Sequence, residues 1–404
     1  MLCSTLQGLN LYAEAHHISS LLQHLEALHI EDCYIAEGSL AALSSCKQLS
    51  LLSLNNVLLA AGAGAALGML ASNGCSGLQL QLRRVQVYQL KWGSGLDFEY
   101  EPFDFLTALA PCLTHFTATT LHKSDLQAMM GSLASVQQSS PLQVLCLESE
   151  QGPQQHALYS NMHPWEVCLQ TTQSWASTFP HLHSFTCPDL SLCDLECLKV
   201  LLDLRHLRQL SIFGITCEPQ GELSVSWPAN RQPISLGFCS ITPSQLAALP
   251  LQHCSRVNCG ALAFPEDATR QQLVDAMRHL QAQAREFPVV HVTSIRGTDR
   301  RKALGGVLSA LSIECPLHFH HNFQLARLHL ELEDVQGFAS AAGRSVKVLH
   351  VKYCTVTDAA RAALSSRQVM GPRIRVVLEH VSTVAADGTV SDDHDHEDYY
   401  YDNE

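Results

Sequence analysis

Three histidines carry the strongest chemical suggestion in this chain. His291, His329 and His350 each lie between two apolar residues, in Val-His-Val, Leu-His-Leu and Leu-His-Val. A neutral imidazole both donates and accepts, and it begins to charge near pH 6. On neighbouring strands about 4.8 Å apart, such rings would form one column with a spread, coupled titration. One use of the column is contact with a partner. Another is Zn²⁺, at about 2.0–2.1 Å from each nitrogen, if the rings converge. A flat sheet points side chains side by side, and only Glu331 lies close enough in sequence to add a carboxylate. Partner contact is therefore favoured over metal, and a polar column without a task stays open.

Other residues invite weaker readings. Arg296-Gly297-Thr298-Asp299-Arg300-Arg301-Lys302 is the one basic cluster. It is expected to open a helix as a solvated face. Contact of Arg296, Arg300 and Arg301 with an acidic peptide or small anion is the rival. Trp92 and Tyr100 sit in an acidic, aromatic segment that would suit a protein partner or simply pack on its own loop. Trp165 and Trp175 are expected against the helix before Leu182. Gly62 to Gly68 imitates a dinucleotide loop, and Cys187, Cys193 and Cys197 are close but form no C-x-x-C pair. No Ser/His/Asp, H-E-x-x-H or Walker pattern has supporting context. Neither enzyme chemistry nor a cofactor is expected.

What would position these residues is a repeat. Leu25-x-x-Leu28-x-Ile30-x-x-Cys33-x-Ile35 recurs at Leu49, Leu182, Leu207, Phe287 and Val346, with weaker copies between. The alternating L-x-L is a strand with one buried face, and the following residues are helical. Thr357 is an N-cap type residue; residues 269–286 form the longest helix, with Leu273, Met277 and Leu280 on one stripe. A single unit cannot bury its own apolar face, so the units must stack. The residue between the two apolar positions then forms an outward column: His29, Ser53, Gln81, Thr117, Cys146, Thr186, Ser211, Ser235, Asn258, His291, His329, His350. The register is least secure between Phe287 and Leu325, where Leu317-His318-Phe319-His320-His321 could supply an extra strand.

At these residues the chain resembles the leucine-rich-repeat superfamily. Asp32-Cys33-Tyr34-Ile35 through Leu43-Ser44-Ser45-Cys46-Lys47-Gln48-Leu49 resembles its cysteine-containing subtype, found in F-box/LRR proteins. The resemblance implies an α/β solenoid, a horseshoe with a parallel concave sheet and convex helices, over residues 1–383. It implies a protein–protein interaction scaffold that binds through the concave face and inserted loops. The alternative is a substrate receptor of a ubiquitin ligase whose F-box is absent from this chain, since the repeat frame starts at about Leu6.

Composition sets limits. Of 404 residues, 46% are hydrophobic and only 16% charged, with a net charge of −13. An acidic balance argues against nucleic acid as the main partner. The uncharged apolar stretch from Val57 to Ala71 is short of the roughly twenty residues a membrane span needs. Sixteen cysteines spread through the repeats suggest free thiols and a cytoplasmic or nuclear location. Cys33, Cys187, Cys217, Cys239, Cys259 and Cys354 are expected to be reduced and buried. Residues 384–404 read as a disordered acidic tail. The expected protein is a monomer with a protein partner.

Overall fold

A computed structural model of the chain describes residues 3–7, 24–35, 46–72, 75–89, 99–100, 103–120, 122–136, 139–150, 164–219, 223–225, 227–265, 268–284, 290–297, 308, 317–342, 345–385 and 390–391. They divide into two compact units, residues 1–213 with 226–232, and residues 214–225 with 233–404. Both are α/β, with parallel strands dominating.

The first unit contains β1 (Cys3–Gln7), β2 (Ala27–Ile35), β3 (Leu51–Ala60), β4 (Leu78–Arg83), β5 (Gln86–Gln89), β6 (Glu99–Tyr100), β7 (Leu113–Thr120), β8 (Val144–Ser149), β9 (Trp165–Val167) and β10 (Ser184–Leu192). Its helices are α1 (Ala61–Ser72), α2 (Phe105–Leu109), α3 (Lys123–Ala134), α4 (Leu169–Thr178) and α5 (Leu195–Leu202). The main strands pair in parallel, β1 with β2, then β3, β4, β7, β8 and β10. Among the described residues of this unit, only β5 and β6 pair antiparallel. Leu28, Leu52, Leu80, Phe116, Leu145 and Phe185 are in register and buried. Their rigid level explains the strand frame: shifting any strand by one residue would turn its leucines to solvent.

Helices close the apolar side. Met130 from α3, Trp175 from α4 and Leu201 from α5 meet Leu145 and Phe185 around one narrow gap. Gly64 and Gly68 of α1 face the next helix. A Cβ on Gly64 would lie 3.2 Å from the Phe105 ring, and one on Gly68 would lie 3.0 Å from the Ala108 Cβ. The G-x-x-x-G spacing therefore lets α1 and α2 approach. A second buried row precedes the strands. Cys46, Cys75 and Cys112 are buried, and the Cys75 thiol donates to the Cys46 carbonyl at 3.0 Å. Ser140 repeats the device one unit on, donating to the Ala110 carbonyl at 2.9 Å. Burial, with the Cys75 thiol adjacent, raises Cys46 and Cys112 to about 11.

The unit boundary falls inside β11 (Gln209–Ile215). The second unit contains β12 (Ile234–Ile241), β13 (Cys254–Phe264), β14 (Val290–Gly297), β15 (Leu317–Ala326), β16 (His329–Leu330), β17 (Val348–Lys352), β18 (Thr355–Thr357), β19 (Arg375–Glu379), β20 (Ser382–Val384) and β21 (Val390–Ser391). Its helices are α6 (Pro243–Ala247), α7 (Arg270–Ala284), α8 (Leu332–Ala342), α9 (Asp358–Ser365) and α10 (Arg367–Met370). Strands β12, β13, β14, β15, β17 and β19 pair in parallel in chain order. A smaller sheet joins β16, β18 and β20 in parallel and β21 antiparallel. The caps follow sequence: Thr242 and Gln245 form a reciprocal capping box on α6, and Thr357 accepts from the Ala360 N–H. As expected, α7 is the longest described helix and buries Leu273, Met277 and Leu280.

A left-handed corner recurs along the chain, inside β2 and β3 and then between β4 and β5, β15 and β16, β17 and β18, and β19 and β20. Asp32, Asn56 and Arg84 in the first unit, and Arg327, Tyr353 and His380 in the second, all have φ between 51° and 53°. Such values disfavour non-glycine residues, and here the side chains brace one another. Asn56 donates to Asp32 at 2.8 Å, Arg84 pairs with Glu150, and the Tyr353 and His380 rings stack at 4.9 Å. At Asp32 and Tyr353 the corner is made by the residue before a cysteine. Cys354, just past the corner, is buried and donates to the Leu325 and Lys352 carbonyls.

Two expectations change. Among the named cysteines, Cys187, Cys259 and Cys354 are buried, but Cys33 and Cys239 are half-buried and Cys217 is exposed. All six are free thiols. Val384 and Val390, assigned by sequence to the tail, pair across β20 and β21; residues 392–404 lie outside the described residues. Finally, no helix among the described residues is long and apolar enough to cross a membrane.

Candidate functional site

The outward side chains of β13, β14, β15, β17 and β19 bring the largest group of imidazoles and cations onto one rigid surface. On β13, Val257 and Cys259 are buried, so Arg256 and Asn258 between and beside them face outward. Asn258 is level with His291 on β14, and His291 with His318 on β15. The rings of His291 and His318 are 5.6 Å apart. Partial burial holds His291 below the usual histidine range, reinforced by Arg256, His318 and His320. It is neutral at pH 7 and resists protonation unless a negative group arrives.

The register between β14 and β15 is irregular, which changes the column read from sequence. Val292 pairs with Phe319, yet Ser294 pairs with Gln324. Three extra residues bulge from β15, pushing His320, His321 and Asn322 into solvent. The bulge is held by its flanks: Phe319 and Phe323 are buried, lie edge-on at 4.9 Å, and both pack on Phe338 of α8. His320 accepts from the Asn322 N–H at 3.2 Å, and His321 bonds the Ser345 carbonyl at 2.7 Å.

The neighbour of His291 is therefore His318 and not, as expected, His329. His329 lies in β16, in the smaller sheet, where its Nδ1 contacts the Thr355 hydroxyl at 2.8 Å. His350 occupies another level, between Gln324 and Val377. Its Nδ1 is 3.3 Å from Glu379, which also takes the Lys352 ammonium at 2.7 Å. Burial alone would raise the Glu379 carboxyl, but Lys352 and His350 more than offset it and hold it low. Asn258 likewise neighbours Gly237, not Ser235. In the first unit, by contrast, His29, Ser53, Gln81, Thr117, Cys146 and Thr186 are in register as expected.

Arg296 is a strand residue and not the start of a solvated helix. It lies on β14, level with Ala263 and Ala326. Burial, with Arg327 nearby, lowers it to about 10. Arg300, Arg301 and Trp92 lie outside the described residues; Tyr100 falls in β6, its side chain outside them. Trp175 is buried in α4 against Trp165 and Phe185, at 5.5 and 6.2 Å, in line with the packing expectation.

A second histidine group escaped the sequence reading. His181 and His183 lie 6.0 and 5.7 Å from His206 in the first unit. Burial lowers His183, as do His206, Arg208, His181 and His115. His181, His183 and His206 precede their strands and lie outside the outward column, so column counting does not find them. Among the described residues no group of His, Cys, Asp and Glu is arranged to hold a metal ion. Compared with known proteins, the chain matches no family model and no curated relative.

Proposed function

We propose that this chain is a leucine-rich-repeat binding scaffold without catalytic chemistry of its own, and that it engages a protein partner through the outward face of β13 to β19. The observation that supports this reading is the level row Asn258–His291–His318 beside Arg256, carried on paired strands whose inward residues are buried. Rigid elements hold such groups ready, so little ordering entropy is lost on contact. Their chemistry suits a carboxylate-bearing segment of the partner, because each imidazole can donate and can charge beside an acid. His350, Lys352 and Glu379 form a mixed-charge border that would favour one orientation of the partner. The sequence's basic cluster enters only through Arg296, whose partial burial makes it a lesser contact.

The test is affinity capture with quantitative mass spectrometry, comparing wild type with His291→Ala/His318→Ala at pH 6 and pH 8. The expected result is loss of specific co-purifying proteins in the variant, with wild-type capture stronger at pH 6. Equal capture by a folded variant at both pH values rejects the reading.

A further inference from the structure

Cys168 and Cys193 of the first unit stand outside the histidine face and have no part in the binding reading. β9 pairs in parallel with β10, with Val167 level with Leu192. The Cys193 N–H donates to the Val167 carbonyl at 3.0 Å, the last bond of that ladder. Cys168 and Cys193 each follow directly on this last paired level. Val167 and Leu192 are buried, whereas Cys168 is exposed and Cys193 half-buried. Adjacent strands about 4.8 Å apart fall within the roughly 4.4–6.8 Å Cα separation a disulfide accepts.

The two thiols differ in a useful way. Cys168 is the N-cap of the ten-residue α4, and its sulfur lies 3.4 Å from the Thr171 hydroxyl. The Thr171 hydroxyl and the N–H groups of the first turn lower its pKa, which favours the nucleophilic thiolate. Burial and the Glu166 carboxylate raise Cys193 to about 12, so it stays protonated.

We propose that Cys168 and Cys193 form a peroxide-sensitive pair, with Cys168 the attacking thiol and Cys193 the resolving one. The Cys168 thiolate attacks one oxygen of hydrogen peroxide, breaking O–O and giving a sulfenic acid and hydroxide. The Cys193 sulfur then attacks the Cys168 sulfur. Hydroxide leaves, takes the Cys193 proton and departs as water. Sulfur is oxidised to the disulfide and peroxide is reduced to water, and the new bond staples β9 to β10.

Mapping of the full-length protein tests this. The protein is treated with stoichiometric hydrogen peroxide, alkylated, digested without reductant and read by mass spectrometry. A Cys168–Cys193 linked peptide that disappears with dithiothreitol is expected. In Cys193→Ser, dimedone should label Cys168. Before oxidation, iodoacetamide should modify Cys168 at least roughly threefold faster than the exposed Cys217 at pH 7. Linkage of Cys193 to Cys197 instead, or peroxide treatment that leaves Cys168 unmodified, overturns the proposal.

Discussion

The outward faces of the two units rest on the same kind of parallel ladder but carry different loads. In the first unit the level residues are His29, Ser53, Gln81, Thr117, Cys146 and Thr186, one per strand without interruption. In the second the level runs to His318 and is then broken within β15, and the break delivers His320 and His321 to the surface. The inward residues set strand register in both, because they lose the most water on folding. The outward residues are released from that constraint and can diverge. A bulge adds a further freedom by inserting residues that no partner strand must match.

The comparison is most easily broken at the bulge. If Phe319, Phe323 and Phe338 hold the irregular register, Phe323→Ala should destabilise the protein by about 3–5 kcal/mol. Hydrogen exchange should quicken around residues 317–326 ahead of the strands of the first unit. Equal protection in both regions would mean the bulge does not depend on the aromatic cluster.

A smaller effect is expected from the buried Asp189 in the first unit. It accepts from the Ser149 N–H at 2.9 Å and the Ser149 hydroxyl at 3.0 Å. Asp189→Ala leaves these donors without their acceptor, costing about 1–3 kcal/mol in denaturant unfolding. The second unit has a counterpart in Asp334, which takes the Leu308 and Glu331 N–H groups, so Asp334→Ala should cost a similar amount.

Next comes a shallow pH dependence. His291 and His183 both have pKa values lowered in the folded state, first by burial and then by neighbouring cations. A lowered folded value means the neutral form is favoured. Their contribution is present above the unfolded value of about 6.5 and is lost as pH falls through it. Thermal midpoints should therefore drop between pH 7 and pH 5. His183→Asn/His291→Asn should flatten that part of the curve, and an unchanged slope would place the effect elsewhere.

The smallest change is expected on the outward rows themselves. Ser53→Ala in the first unit and His318→Ala in the second should each alter stability by no more than about 0.5 kcal/mol. A larger loss at His318 alone would sharpen the contrast, showing that the imidazole helps hold the bulge.

Sequence alone determined the strand and helix types, the inward leucine rows and the outward column of the first unit. Apolar alternation is a local record of burial, legible wherever each repeat contributes one strand of constant register. It also disclosed the capping residue Thr357 and the buried stripe of α7. It did not disclose that Gly64 and Gly68 serve helix packing, because the contact partners Phe105 and Ala108 lie some forty residues on. Nor did it place His329 in a separate sheet, because Arg327 turns the chain at φ 53° and nothing in its residue type announces a left-handed corner. The pairing of His291 with His318 is set by inter-strand register. Register is a property of two segments packed on a shared core, so only the tertiary structure decided which side chains became neighbours.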